Sequence, residues 1–152
     1  RSEKHAQGLW PNLPEEAFIQ IGDFFKSGLE TAAELGFTEV TLTVFFGKAV
    51  KMARGFPHTH AAKARLTLDK LADWALETTG DEFLSESIST ANTARHAFEF
   101  IHPGYPALIG EVGRRMTASA REFAGPRVHI RGVILDFEGN PIFDSDQKGS
   151  QT

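Results

Sequence analysis

Cysteine is absent from the 152 residues, which excludes disulfides, thiolate metal sites, iron–sulfur clusters and cysteine nucleophiles together. A reducing cytoplasm is the expected compartment. No window approaches the ~20 consecutive apolar residues that a membrane span needs, and the segment 1–11 lacks the apolar centre of a secretory signal. A soluble chain with no membrane association is expected. Neither charge sign dominates: the net charge is -4 at pH 7, so nothing draws the whole molecule to nucleic acid or to an anionic membrane. Any anionic ligand must be held by a local basic patch. Three signatures are also missing, namely the Gly-x-x-x-x-Gly-Lys phosphate loop, the Gly-x-Gly-x-x-Gly dinucleotide loop and the Gly-x-Ser-x-Gly nucleophile elbow. Nucleotide hydrolysis and serine catalysis thereby lose their usual support.

What is present reads as one α/β domain over residues 1–144 followed by a polar tail, 145–152, that frays. Ser2 to Gly8 forms one or two helical turns, and Trp10 to Pro14 an irregular connector. Alternation of Ala17, Ile19 and Ile21 predicts a short strand ended by Gly22. Asp23 is then a good N-cap for a helix whose apolar positions run from Phe24 to Leu35, with Gly36 closing it. Val40, Leu42 and Val44 alternate with threonines, so a second strand is expected up to Phe46. Gly47 stops it, and a helix opens with Lys48. Strand, helix, strand, helix implies a right-handed parallel crossover.

Beyond the break at Gly55 and Pro57, Leu66 to Ala75 carries a helical apolar stripe. Gly80 and Asp81 separate it from a helix starting near Glu82, and Asn92 or Thr93 restarts helical structure toward Ile101. After a turn over His102 to Pro106 comes a helix from Ala107 to Phe123. A strand from Val128 to Leu135 turns at Gly139 and Asn140 into Pro141 to Phe143, giving a C-terminal hairpin. The fold class expected is therefore α/β, with a small sheet and several helices.

Ligands in open α/β sheets gather where parallel strands end and helices begin. Two loops qualify. At Phe46-Gly47-Lys48 a glycine admits ligand to backbone N–H groups at the positive end of a helix, beside a lysine; equally, Gly47 could serve a tight turn and Lys48 be solvated. Lys48, Lys51 and Arg54 recur every three residues, a basic strip along one helix side with His58 and His60 just beyond it. Such a strip suits a ligand with several carboxylates, although a charge stripe is also an ordinary solvated face. Asp23, in the other loop, is either a cap or an acceptor for ribose or ammonium. Asn92 and Thr93 are either a helix restart or polar ligand contacts. His58 and His60, two apart, could serve as metal ligands in an extended loop, but no third ligand is evident.

Taken in order, Leu13-Pro14-Glu15-Glu16-Ala17-Phe18-Ile19-Gln20-Ile21-Gly22-Asp23-Phe24, Phe46-Gly47-Lys48-Ala49-Val50-Lys51-Met52-Ala53-Arg54-Gly55, Thr59-His60 and Ala91-Asn92-Thr93 resemble the cobalt-precorrin-5B C-1-methyltransferase family of anaerobic cobalamin biosynthesis. The likeness covers nearly the whole chain and the C-terminal portion of a family member. It departs from the family pattern at Val44 and Phe45, where Gly and then His or Met are usual, and at Ala61, where Ser is usual. The acidic residue that usually follows the histidine falls on Thr67 without a gap or on Asp69 with one.

The resemblance implies methyl transfer from S-adenosylmethionine to a corrin precursor, converting cobalt-precorrin-5B to cobalt-precorrin-6A. It assigns Lys48, Lys51, Arg54, Thr59 and His60 to substrate and Asp23, Gly47, Asn92 and Thr93 to cofactor. Cobalt arrives inside the substrate, so the protein needs no metal site. An N-terminal domain or an oligomer partner is expected to complete the site, the chain starting at Arg1 as an excised or processed piece would. Two other readings compete: a tetrapyrrole-binding module without catalysis, and a metal-assisted hydrolase built on His58, His60 and an aspartate.

Overall fold

In the computed structural model residues 2–147 are described. Seven helices surround a three-stranded mixed sheet: α1 (Ser2–Leu9), α2 (Phe25–Glu34), β1 (Glu39–Phe45), α3 (Phe46–Ala53), α4 (Ala64–Thr79), α5 (Glu82–Ser89), α6 (Ala94–Ile101), α7 (Pro106–Ala124), β2 (His129–Leu135) and β3 (Pro141–Asp144). Single 3-10 turns lie at Glu15–Ala17 and Thr59–Ala61. The long helices form where a periodic apolar face meets clear stop signals. In α4, Leu68, Leu71, Ala72, Trp74 and Ala75 are buried, and Gly80 ends the helix at φ 70, a left-handed conformation that costs a glycine little. Asp81 then caps α5 by accepting from Leu84 N, and Thr93 caps α6 by accepting from His96 N.

The sheet order is β1-β2-β3, with β2 in the centre. Its five buried positions, Ile130 and Gly132 to Leu135, mark a strand covered on both faces. β2 runs parallel to β1, from Glu39 opposite His129 to Phe45 opposite Leu135. It pairs antiparallel with β3 across the hairpin, with a register shift between Ile134 and Leu135. The turn is held by Asp136, whose Oδ1 accepts from Glu138 N at 3.0 Å and Asn140 N at 2.8 Å.

Helix α7 packs against α2, α3, α4 and the sheet, and two glycines let it come close. A Cβ on Gly132 would overlap Thr117 Oγ1 and lie 2.9 Å from Met116 Cε, and one on Gly113 would lie 2.5 Å from the Phe143 ring. Phe25, Phe46, Leu71, Ile88, Ile101, Leu108, Met116 and Ile130 are among the fully buried side chains of the core around it.

The α/β class, the parallel pair and the C-terminal hairpin agree with the sequence reading, but the parallel partner of β1 does not. Residues 18–21 join no strand; Glu15–Ala17 is a 3-10 turn and Ile19 is 71% exposed. Alternation needs a neighbouring strand to become a sheet, and β1 pairs with β2 instead, through a connection comprising residues 46–128. Asp23 is not the cap of α2 either. That position is held by Phe24 without a side-chain bond, because the Asp23 carboxylate has stronger partners elsewhere. Helix α3 starts at Phe46, earlier than Lys48, since burying Phe46 completely draws it into the helix.

Of the tail expected from 145 onward, residues 148–152 lie outside the described residues. Ser145 exchanges two 2.9 Å hydrogen bonds with Gly132, and Asp146 lies 3.0 Å from His129 Nε2.

Candidate functional site

Two loops that are far apart in sequence are joined by their backbones. Thr59 N donates to Asp23 O at 3.0 Å and Lys26 N to Pro57 O at 2.9 Å, tying the entrance of α2 to the exit of α3. Gly22, at φ 56, sets the turn that presents Asp23. Across this junction Lys48 Nζ donates to Asp23 Oδ1 at 2.7 Å, and Thr59 Oγ1 donates to the same oxygen at 2.6 Å. The lysine hydrogen bond, then the threonine one, hold the Asp23 carboxyl down at about 2, so it is ionised at any physiological pH. The pair is not sealed off: the Lys48 and Asp23 side chains are 33% and 39% exposed, whereas Thr59 is fully buried. Oδ2 of Asp23 has no hydrogen bond among the described residues and remains open to a donor.

Gly47 lies in the first turn of α3 without a left-handed conformation, so the tight-turn reading does not apply. What it provides is proximity. A Cβ there would lie 3.6 Å from the Ala94 methyl, which places Asn92 and Thr93 beside the start of α3. Thr93 spends its oxygen lone pair on His96 N at 3.0 Å and retains its hydroxyl proton for donation; Asn92 is exposed. Asp23, Lys48 and Thr59 are thus joined near the start of α3, and Gly47 brings the start of α6, with Asn92 and Thr93 just before it, against the same helix.

The rest of the basic strip extends down α3. Lys51 is half-buried and has no ion pair among the described residues. Arg54 donates to Thr67 Oγ1 at 2.8 Å and sits 4.6 Å above the Phe56 ring, both neutral partners that leave its charge uncompensated. Val50, Met52 and Ala53, between the cations, are core. With Lys48 and Asp23 offsetting each other, the strip offers two net positive charges.

His60 is exposed, its ring centroid 6.2 Å from that of His58, which itself meets Phe24 edge-on at 5.0 Å. Among the described residues no three His, Asp or Glu side chains gather closely enough to hold a metal ion.

A family profile described as "CbiD, C-terminal domain" matches residues 58–146. The chain belongs to this family. Among its curated relatives, a cobalt-precorrin-5B C(1)-methyltransferase of Nitratidesulfovibrio vulgaris is 44% identical over 93% of the chain. Proteins of the same name from Salinispora tropica and Leptospira borgpetersenii are 33% and 34% identical, each over 91% of the chain. The chain spans 37% of the length of the Nitratidesulfovibrio and Salinispora relatives and 38% of the Leptospira one. No solved structure matches it. No helix among the described residues is long and apolar enough to cross a membrane.

Knowing the family does not enclose the site. A hollow of about 370 Å³ is lined by Gln7, Trp10, Pro11, Leu13, Glu15 and Phe18 and includes none of the site residues. Sequence reading also passed over the carboxyl end of β2, which lies beside that of β1 in the parallel pair. There Phe137 stacks on Phe45, centroids 6.4 Å apart, and Arg95 covers Phe137 at 5.0 Å. The only local signal was the Arg95 charge two residues after Thr93.

Proposed function

We propose that this chain is the corrinoid-handling part of a cobalt-precorrin-5B C-1-methyltransferase and works with further family architecture to methylate its substrate. The observation that carries this reading is the 44% identity to a protein of that name over 93% of the chain. The geometry supports the same reading by what it leaves available. The uncompensated charges of Lys51 and Arg54, with exposed His60 nearby, suit carboxylate side chains of a corrin precursor. Lys48 faces the same ligand while keeping Asp23 in place, and Thr59, buried under the pair, positions the loop rather than touching substrate.

On the cofactor side the donor set fits S-adenosylmethionine. Asp23 Oδ2 can accept from ribose hydroxyls or the ammonium group, Asn92 can bond the polar groups beside it, and Gly47 leaves room at the helix end. When bound, this cofactor supplies an electrophilic methyl: a ring carbon of the substrate bonds to it as the carbon–sulfur bond breaks and sulfur keeps the electron pair. The protein needs no covalent nucleophile, so these residues serve orientation and charge placement. Because Asp23, Lys48, Asn92 and Thr93 reach solvent, exclusion of water falls to the N-terminal region of the longer relatives or to an oligomer partner.

Calorimetry tests the reading. Binding of both S-adenosylmethionine and a corrinoid carrying free carboxylates supports a share in the enzyme site. Binding of the corrinoid alone makes the chain a tetrapyrrole-binding module, and failure of both, alone and together with the remaining part of a relative, overturns the proposal.

A further inference from the structure

Arg95 stands apart from the strip on α3 and lies against an aromatic ring. It is the second residue of α6, next to the Ala94 that faces Gly47. Its guanidinium carbon lies 5.0 Å from the centroid of Phe137, and Phe137 is fixed from below. It stacks on Phe45 with an interplanar angle of 6° and meets Phe98 edge-on at 5.3 Å, and Phe98 in turn packs 4.9 Å from the fully buried Phe46. The aromatic stack therefore runs from the core to the ends of both parallel strands.

Arg95 is exposed, yet among the described residues it makes no hydrogen bond or ion pair. Glu99, one turn along α6, and Glu138, next to Phe137, are both exposed, and neither is paired with it. A ring under the guanidinium restricts its plane, and the N–H edge remains free to bind a planar anion through two parallel hydrogen bonds. Because the ordering is done in advance by Phe137, less freedom is lost when the anion arrives.

From this we infer that Arg95 is a carboxylate-binding residue at the mouth of the site, with Phe137 as its positioning residue. The inference rests on the proposed methyltransferase role for the identity of the ligand. A carboxylate there could be a side chain of the corrin precursor or the amino-acid end of S-adenosylmethionine.

The test is an NMR titration of the ¹⁵N-labelled chain, following the Arg95 Nε–Hε signal, with citrate, with a corrinoid bearing free carboxylates, with its methyl ester, and with S-adenosylmethionine. A saturable shift with citrate and the free-acid corrinoid, absent with the ester, supports the inference and assigns Arg95 to substrate. A shift with S-adenosylmethionine and not with the corrinoid supports it and assigns Arg95 to cofactor. Arg95→Gln should weaken the responsible ligand about tenfold, and Arg95→Lys, which keeps charge without the fork, should restore only part of that.

Phe137→Leu should weaken it by a smaller factor, measured at a temperature where the variant is fully folded. A static Arg95 signal in every titration, or an Arg95→Gln chain that binds as tightly as the unaltered one, overturns the inference even if the α3 strip binds corrinoid. A response to citrate alone overturns the place of Arg95 in the methyltransferase site, whatever the α3 strip binds.

Discussion

At the scale of single residues, the instructive group is Asp23. As a free carboxylate it would titrate near 3.8, and Lys48 and Thr59 bring it to about 2. A depressed pKa means that Asp23 contributes stability above its unfolded value and loses that contribution as pH falls from about 4 toward 2. Asp23→Asn should therefore flatten the acid limb of the stability curve in that interval while leaving its shape near neutrality unchanged, as urea unfolding across pH would measure. Thr59→Val keeps the buried volume and removes one of the two donors to Oδ1. The Asp23 carboxyl should then titrate higher, by an amount read directly from its ¹³C signal. An unchanged midpoint would mean that Lys48 alone holds the carboxylate.

Helices and strands carry a different kind of constraint. Helix α7 docks on β2 through Gly132, where any Cβ would collide with Thr117 and Met116 in a buried layer. Gly132→Ala should cost about 1–3 kcal/mol and lower the melting temperature, as overpacking of a filled core does. A neutral substitution would show that α7 can slide. The hairpin carries a second test. Arg131 donates to Asp144 at 2.9 Å and 2.5 Å; Asp144 is only 6% exposed, and that hydrogen bond holds its carboxyl below the usual range against the upward push of burial. Arg131→Ala strands a carboxylate in the sheet and should cost about 2–3 kcal/mol. Because Arg131 also covers Trp10 at 5.6 Å, the loss should come with increased hydrogen exchange in the connector after α1.

For the molecule as a whole, the relevant property is where net charge remains. The chain is acidic overall, yet Lys51 and Arg54 sit without compensation on one side of α3. Replacing Lys48 and Lys51 together by Ala should weaken corrinoid binding and reduce its salt dependence with the fold intact. The two residues should differ when changed singly: Lys51→Ala removes a free cation, whereas Lys48→Ala also leaves Asp23 unpaired and should raise its pKa. Equal binding by both single variants and the unaltered chain, measured by calorimetry at two ionic strengths, would take α3 out of the site.

Local chemistry determined much of this protein before any contact was known. Gly80 and the Asp81 and Thr93 caps mark helix boundaries because left-handed glycine and short polar caps act within a few residues, and the turn near Gly139 and Asn140 is equally local. The ordered motifs likewise carried the family, since kinship is written along the chain. Tertiary structure alone decided three things. It chose β2 over residues 17–21 as the partner of β1, because strand pairing is a competition between distant segments that alternation cannot arbitrate. It turned Asp23 from a cap into the partner of Lys48 and Thr59, because a cation across space outcompetes a backbone N–H two or three residues on. And it laid Arg95 on Phe137, 42 residues later in the chain, by bringing the end of β2 beside the start of α6.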